Sequence, residues 1–289
     1  MSFAPSSDGL EALRPFNIPH LPPSFYYIAN FITPEEEASI LQKIPAQRWV
    51  TLSHRRLQAH PSTLTPNNTL LAAPLPPYLV NPVVERFKAL GVFKKTPHRA
   101  PNHVLINEYQ RREGIMPHED GSAYAEVVAT VSLGAPICLE ISPKPGMGEK
   151  DDGSPSGHPE PAQAEVANEE EPVTSNEDEY DSEARTTPSQ PHGSDARYKL
   201  PTRILQESRS LLITTSSAYT DLLHGIAPVD VDEDLSPDTI ANWYLLAEPY
   251  VFEEAGGKNE RATRISLTYR DVLKVSSAAS KVFGGMGKR

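Results

Sequence analysis

The chain has 289 residues, 38% of them hydrophobic and 22% charged, with 29 prolines, one cysteine and a formal charge of -11. That length allows one large domain or two small ones, and so much proline with so little apolar residue means that part of the chain stays outside any core. One cysteine, Cys138, excludes an internal disulfide and a cysteine-rich zinc module, and it suits a reducing cytosolic or nuclear setting.

The N-terminus lacks a basic region followed by an apolar run, so no secretory signal is expected, and no apolar stretch is long enough to span a membrane. The acidity is local. Glu149 to Asp195 holds 14 acidic and two basic residues, a net -12, so the remainder carries +1. A near-neutral folded part leaves a nucleic-acid partner open.

Residues 1–23 are rich in Pro and Ser and read as extended. Phe25 to Phe31 is an aromatic, strand-like run. Thr33-Pro34-Glu35-Glu36 then predicts a helix start: Thr at the N-cap, Pro at N1 and Glu at N3, closing a capping box. That helix runs to about Ile44, where Pro45 stops it. Trp49 to Pro61 carries His54, Arg55 and Arg56. These arginines suit phosphate, or they belong to a solvated hairpin. The proline-rich stretch 61–77 has no period and reads as a loop. Tyr78 to Leu90 predicts a helix, with Leu79, Val83, Val84, Phe87 and Leu90 on one stripe.

Val104 to Tyr109 alternates as a strand. Glu126 to Leu133 and Ile137 to Ile141 are two more, and the short turn between them suggests an antiparallel pair. From Lys144 to about residue 198 the chain is acidic and low in complexity. It cannot bury enough apolar surface to offset its ordering entropy, so it reads as a disordered insert that could engage a protein partner. Strand patterns resume at Arg203 to Leu205 and Ser210 to Thr215. Tyr219 to Leu223 reads as a short turn or helix, 228–240 as a loop, and Asn242 to Ala247 as a strand. Arg264 to Tyr269 is a clear strand, and residues 277–289 read as a frayed tail. The fold class is therefore mainly β with flanking N-terminal helices (α+β). A double-sheet jelly roll would protect the strand edges and leave an open mouth. A monomer is expected.

His118 and Asp120 lie two apart, and in a strand that spacing aims both side chains at one face. With His224 they make two imidazoles and one carboxylate, a set that suits Fe(II) with open positions, or zinc. Taken alone, a His-x-Asp pair is more often a surface turn, and a histidine among leucines is more often a core residue. Arg264, Ser266, Thr268 and Arg270 share one face of the last strand. The two arginine backbones stand about 20 Å apart at about 3.3 Å per residue. Their side chains could lean inward onto the two ends of a dicarboxylate, since a planar guanidinium matches a carboxylate bidentately. The plain alternative is an edge strand with two arginines reaching to solvent.

Asn107-x-Tyr109, His118-x-Asp120, His224 and Arg264-x-Ser266-x-Thr268-x-Arg270, in this order, resemble the AlkB family of Fe(II)- and 2-oxoglutarate-dependent dioxygenases. Asn102-His-Val-Leu-Ile-Asn107-Glu-Tyr109, Glu113-Gly-Ile-Met-Pro-His-Glu-Asp-Gly121, Ser132-Leu-Gly134, Arg209-Ser-Leu-Leu212 and Leu222-Leu-His-Gly-Ile226 resemble one eukaryotic branch of it. The resemblance implies a double-stranded β-helix, a form of jelly roll, spanning 24–276 with its core from about 100. It implies iron on His118, Asp120 and His224. It implies 2-oxoglutarate held by Tyr109 and Arg264 at its distal carboxylate, with Asn107 and Arg270 near the chelating end and Ser266 and Thr268 between. Ser266 departs from the family, which often has Asn there. Dioxygen would be the oxidant, succinate and carbon dioxide the co-products, and an N-methyl group would leave as formaldehyde. The resemblance also makes the segment of about 45–77 a substrate lid, with Arg55 and Arg56 on phosphate and Tyr124 stacking on a base of single-stranded or damaged DNA or RNA. A protein substrate, or a non-catalytic binding role, is the alternative.

Overall fold

The computed structural model describes residues 11–19, 21–144 and 200–276. The expected insert lies outside the described residues from position 145, as does the tail after Ser276. In chain order the elements are β1 (Phe25–Ile28), α1 (Pro34–Lys43), β2 (Val50–Leu52), β3 (Arg55–His60), β4 (Thr69–Leu71), α2 (Pro77–Val80) and α3 (Val83–Leu90). Next come β5 (His103–Tyr109), β6 (Ile115–His118), β7 (Tyr124–Gly134) and β8 (Ile137–Pro143). Then follow β9 (Thr202–Gln206), β10 (Leu211–Thr215), α4 (Ser216–Thr220), β11 (Leu222–Ile226), β12 (Val231–Asp232), α5 (Pro249–Glu254), β13 (Asn259–Glu260), β14 (Arg264–Val272) and β15 (Lys274–Ser276).

Two sheets carry the architecture. The major sheet runs β1-β10-β7-β14-β5-β3-β2 and the minor sheet β6-β11-β8-β9. Their neighbours pair antiparallel. Alternation along the major strands splits the core in two. Val104 and Ile106 of β5, Ala129, Val131 and Leu133 of β7, and Leu267 and Tyr269 of β14 pack with Ile40, Leu79, Val83, Phe87 and Leu90 of the helices. Phe25, Tyr27, Tyr109 and Leu212 instead join Ile137, Ile141, Ile204, Leu205, Leu222 and Ile226 of the minor sheet. One face of the major sheet therefore rests on helices and the other meets the second sheet. This is the double-stranded β-helix.

The helices form for local reasons. Thr33 Oγ1 accepts from Glu36 N at 3.2 Å, and Glu36 Oε2 accepts from Thr33 N at 2.8 Å, which completes the capping box. The same Glu36 carboxylate takes both arms of Arg86 at 2.8 Å, tying α1 to α3.

Several elements differ from the sequence reading. The helix expected over Tyr78 to Leu90 is two, because Pro82 has no N–H to donate and its ring blocks continuation. The proline-rich 61–77 contains β4, which pairs in parallel with β15 some two hundred residues on, a partner that no local pattern could announce. Residues 11–16, expected extended, form a 3-10 helix. In place of a strand over Asn242 to Ala247 there is one 3-10 turn, Trp243–Leu245. Asn242 explains it, because its side chain accepts from Leu205 N at 2.9 Å and donates to Leu205 O at 2.8 Å, satisfying that strand's backbone without a neighbouring strand. Most important for the site, β7 and β8 do not pair with each other. The chain leaves the major sheet at Gly134 and enters the minor sheet at Ile137. Gly134 has φ +78, and a Cβ there would lie 2.6 Å from Thr263 O, so both conformation and space call for glycine. No helix among the described residues is long and apolar enough to cross a membrane. Cys138 is buried on β8, and burial pushes its thiol pKa far up, so it behaves as an inert core residue.

The β6–β11 pair is close-packed. A Cβ on Gly114 would stand 2.2 Å from Ile226 O, and one on Gly225 would stand 3.0 Å from Pro117 N. Gly114→Ala is therefore expected to destabilise by about 1–3 kcal/mol, whereas Gly121→Ala, with nothing within 4 Å, is near neutral. Urea unfolding of the two variants checks this, and equal midpoints would refute it. A second expectation concerns acid. Burial, then the Arg48 charge, pulls the His60 pKa down to about 4. Burial, then Arg270, does the same for His103. The unfolded chain protonates these rings near 6.5 and the folded chain only near 4, so stability falls as pH drops through that window. A flat melting temperature between those two pH values would count against it.

Candidate active site

The inward face of β14 carries the polar row. Its register sets Arg264 beside Tyr109 of β5 and Gly134 of β7, Ser266 beside Asn107 and Ser132, Thr268 beside Leu105 and Thr130, and Arg270 beside His103 and Val128. Leu267 and Tyr269, between them, point into the helix-side core, so the row faces the minor sheet.

Arg264 is 3% exposed. One amino group donates to Ser132 Oγ at 2.9 Å and Gln206 Oε1 at 3.1 Å, and the guanidinium stands 5.8 Å from the Tyr109 ring centre. Among the described residues no carboxylate pairs with it, and its Nε has no hydrogen-bond partner. Burial pulls its pKa down to about 10, against the favourable effect of Tyr109. It remains a cation at neutral pH. A buried cation with a spare donor and no counter-ion is a site for an anion supplied from outside.

At the other end of the row Arg270 is bonded to the Asp120 carboxylate and lies 4.9 Å from the Tyr124 ring centre. Its Nε is also buried and unpaired. Burial opposes the Arg270 charge, but Asp120, Tyr124 and Tyr219 together outweigh it and hold the pKa above the usual value. Burial likewise opposes the Asp120 charge, and Arg270, His224 and His118 together hold its carboxyl below the usual range.

His118 and His224 are cross-strand partners in the β6–β11 pair, with ring centres 4.4 Å apart. The strand ends at His118, so Asp120 arrives from the following loop and not along the same strand face. His118 Nδ1 lies 2.8 Å from Met116 O, which leaves Nε2 for another partner. Burial lowers the pKa of His118, and lowers that of His224 to about 4, so both rings are neutral near pH 7, the form that binds metals. Glu119 is paired with Lys144 at the surface and takes no part. Two imidazoles stand together at this end of the row with the Asp120 carboxylate acting on both, and that donor set is of the type that fits a divalent iron. Among the described residues no three such groups are drawn into a ligating cluster, and the Asp120 carboxylate is engaged by Arg270.

The hairpin β2–β3 splits its two arginines. Arg55 Nε donates to Asn107 Oδ1 at 3.3 Å, and Arg55 also acts on the charge states of Tyr109 and His118, so it borders the site. Arg56 points away from the site, donating through Nη2 to Glu108 Oε2 at 2.8 Å and lying 4.6 Å over the Trp49 ring. Tyr124 stands between Arg270 and His103. Sequence reading gave no role to Ser132 and Gln206, which fix Arg264. The available signal was a glutamine closing a buried apolar strand, where a polar side chain needs a partner.

A sequence profile described as the 2OG-Fe(II) oxygenase superfamily matches residues 24–270. The chain is 31% identical over 269 residues to "Probable RNA/DNA demethylase ALKBH6" of Danio rerio, covering 92% of this chain and 93% of that protein. It is 28% identical over 133 residues to "tRNA (carboxymethyluridine(34)-5-O)-methyltransferase alkbh8" of Xenopus tropicalis, covering 43% of this chain and 20% of that protein. The solved structure of OsALKBH1 covers 87% of this chain and 99% of its own, at 14% identity and a TM-score of 0.44. With a double-stranded β-helix, a buried cation awaiting an anion, and a profile match across almost the whole described region, this chain belongs to the 2OG-Fe(II) oxygenase superfamily, within its AlkB group.

Proposed function

We propose that this iron- and 2-oxoglutarate-dependent dioxygenase oxidatively demethylates N-methylated nucleic acid. The observation that carries the substrate class is the likeness, over 92% of the chain, to a relative named as a probable RNA/DNA demethylase. His118, Asp120 and His224 would hold the iron, which when bound supplies the redox chemistry that couples dioxygen and 2-oxoglutarate to hydroxylation of a carbon.

The remaining work belongs to side chains. Arg264 would receive the distal carboxylate of 2-oxoglutarate, since its Nε is a buried donor without a partner among the described residues and no carboxylate among them pairs with it. Ser132 and Gln206 hold that guanidinium from two different sheets, so it is oriented before the cosubstrate arrives. Tyr109 closes the same end. Arg270 and Asn107 would face the other end, with Ser266 and Thr268 lining the wall between. Arg55 and Tyr124 border the site where a flipped-out or single-stranded base would enter. Hydroxylation of an N-methyl carbon gives a hemiaminal, which releases formaldehyde and the bare nitrogen.

The test is formaldehyde and succinate measured on methylated single-stranded DNA and RNA oligonucleotides with Fe(II) and 2-oxoglutarate. Wild type should release both in step, and His118→Ala neither. Formaldehyde from methylated peptides but from no oligonucleotide would overturn the substrate class. For the cosubstrate, Arg264→Met should raise the 2-oxoglutarate KM by roughly 30-fold or more, as expected when a buried charge pair loses one partner. An unchanged KM would remove Arg264 from the role given to it.

A further inference from the structure

From Arg86 to Asn102 the chain contains five Lys and Arg residues and no acid. Arg86 pairs with Glu36. Lys88, Lys94, Lys95 and Arg99 are all exposed. Three of them, Lys88, Lys94 and Arg99, rim an open cleft of about 160 Å³ floored by Val84, Phe87 and Phe93. Outside the acidic stretch the whole chain sums to only +1, so this face concentrates charge that the rest of the fold does not share.

The segment is also held in place. The buried Asp271 accepts from His98 N at 3.0 Å, lies 2.5 Å from His98 Nδ1, and accepts from Asn102 Nδ2 at 3.0 Å. Asn102 Oδ1 in turn accepts from Val272 N at 2.7 Å. Thr96 and Phe93 close the turn before it. Asp271 follows Arg270, so these contacts pin the basic segment to that end of β14, on the side of the sheet that carries α3.

We propose that Lys88, Lys94, Lys95 and Arg99 form a docking face for the phosphate backbone of the single strand whose base is presented to the site. This rests on the demethylase reading above and adds where the flanking strand runs. The chemistry is counter-ion release: each cation meeting a phosphate frees a condensed ion, and binding becomes steeply salt-dependent without reading sequence. An acidic peptide would also find positive charge here. The strand is favoured because the proposed substrate is itself a polyanion whose phosphates continue on both sides of the nucleotide that enters the site.

The test uses the full chain and a dye-labelled single strand, followed by fluorescence anisotropy over a salt series. Wild type is compared with the fourfold variant Lys88→Glu, Lys94→Glu, Lys95→Glu, Arg99→Glu and with Lys258→Glu as a remote charge control. The fourfold variant should bind at least tenfold more weakly at low salt. Its slope of log affinity against log salt should be shallower by roughly 2 to 3, at about 0.7 per single-strand phosphate. Lys258→Glu should behave as wild type. Melting temperatures with and without 2-oxoglutarate and Mn(II) confirm that the variants are folded and keep the site. Wild-type affinity and slope in the fourfold variant would overturn the docking face and leave the demethylase reading intact. Absence of salt-dependent binding by wild type would remove both. A variant that keeps its strand affinity but loses binding of a peptide spanning residues 149–195 would assign the face to the acidic stretch of this same chain and also overturn the proposal.

Discussion

A guanidinium buried without a counter-ion is the condition that the rest of this structure has to meet. Taking a cation out of water costs several kcal/mol, and a fold accepts it only where dipoles stand ready or a ligand completes the pairing. Arg264 has the first in Ser132 and Gln206 and, among the described residues, lacks the second. Ser132 belongs to the major sheet and Gln206 to the minor one, so holding this one charge requires both sheets at their observed register. A one-residue slip of β14 would send Arg264 into the helix-side core and expose Leu267 to the polar row.

The second arginine solves its problem differently. Arg270 has a partner in Asp120, and each offsets the other's loss of hydration. In the proposed site that carboxylate is shared between an arginine and the metal position. Charge is nearly balanced at one end of the row and left open at the other. The open end therefore sets a preference for a ligand that brings a negative charge of its own.

Much of this was legible in residues alone, and what escaped has a common cause. The capping box at Thr33 to Glu36 is a contract among near neighbours, so the sequence states it outright. The alternation of Arg264, Ser266, Thr268 and Arg270 is equally local. The partners of those side chains are not. Gln206 meets Arg264 across 58 positions, and β4 meets β15 across two hundred. The turn at Gly134 looks from sequence like a hairpin, because nothing in three residues tells a reversal within a sheet from a crossing between sheets. Arg55 and Arg56 are neighbours of one type, yet strand alternation puts one beside Asn107 and the other on Glu108. Sequence composition could not divide them, and a pleat does so at once.

The strands β8 and β9 pair as neighbours even though the partners Ile141 and Thr202 are 61 positions apart. For the folding chain this is a contact of high order, formed only after a long loop has been closed. The other edge of β8 is taken by β11, later still in the sequence. The arginine row closes longer loops still: β14 sets Arg264 beside Tyr109, 155 positions back, and beside Gly134, 130 positions back. By the same reasoning the row is expected to assemble after the minor sheet. A chain emerging from synthesis carries His118 and His224 before Arg264 and Arg270 exist, so its metal position can be outlined first, and the last strand to arrive brings the cations that receive the cosubstrate.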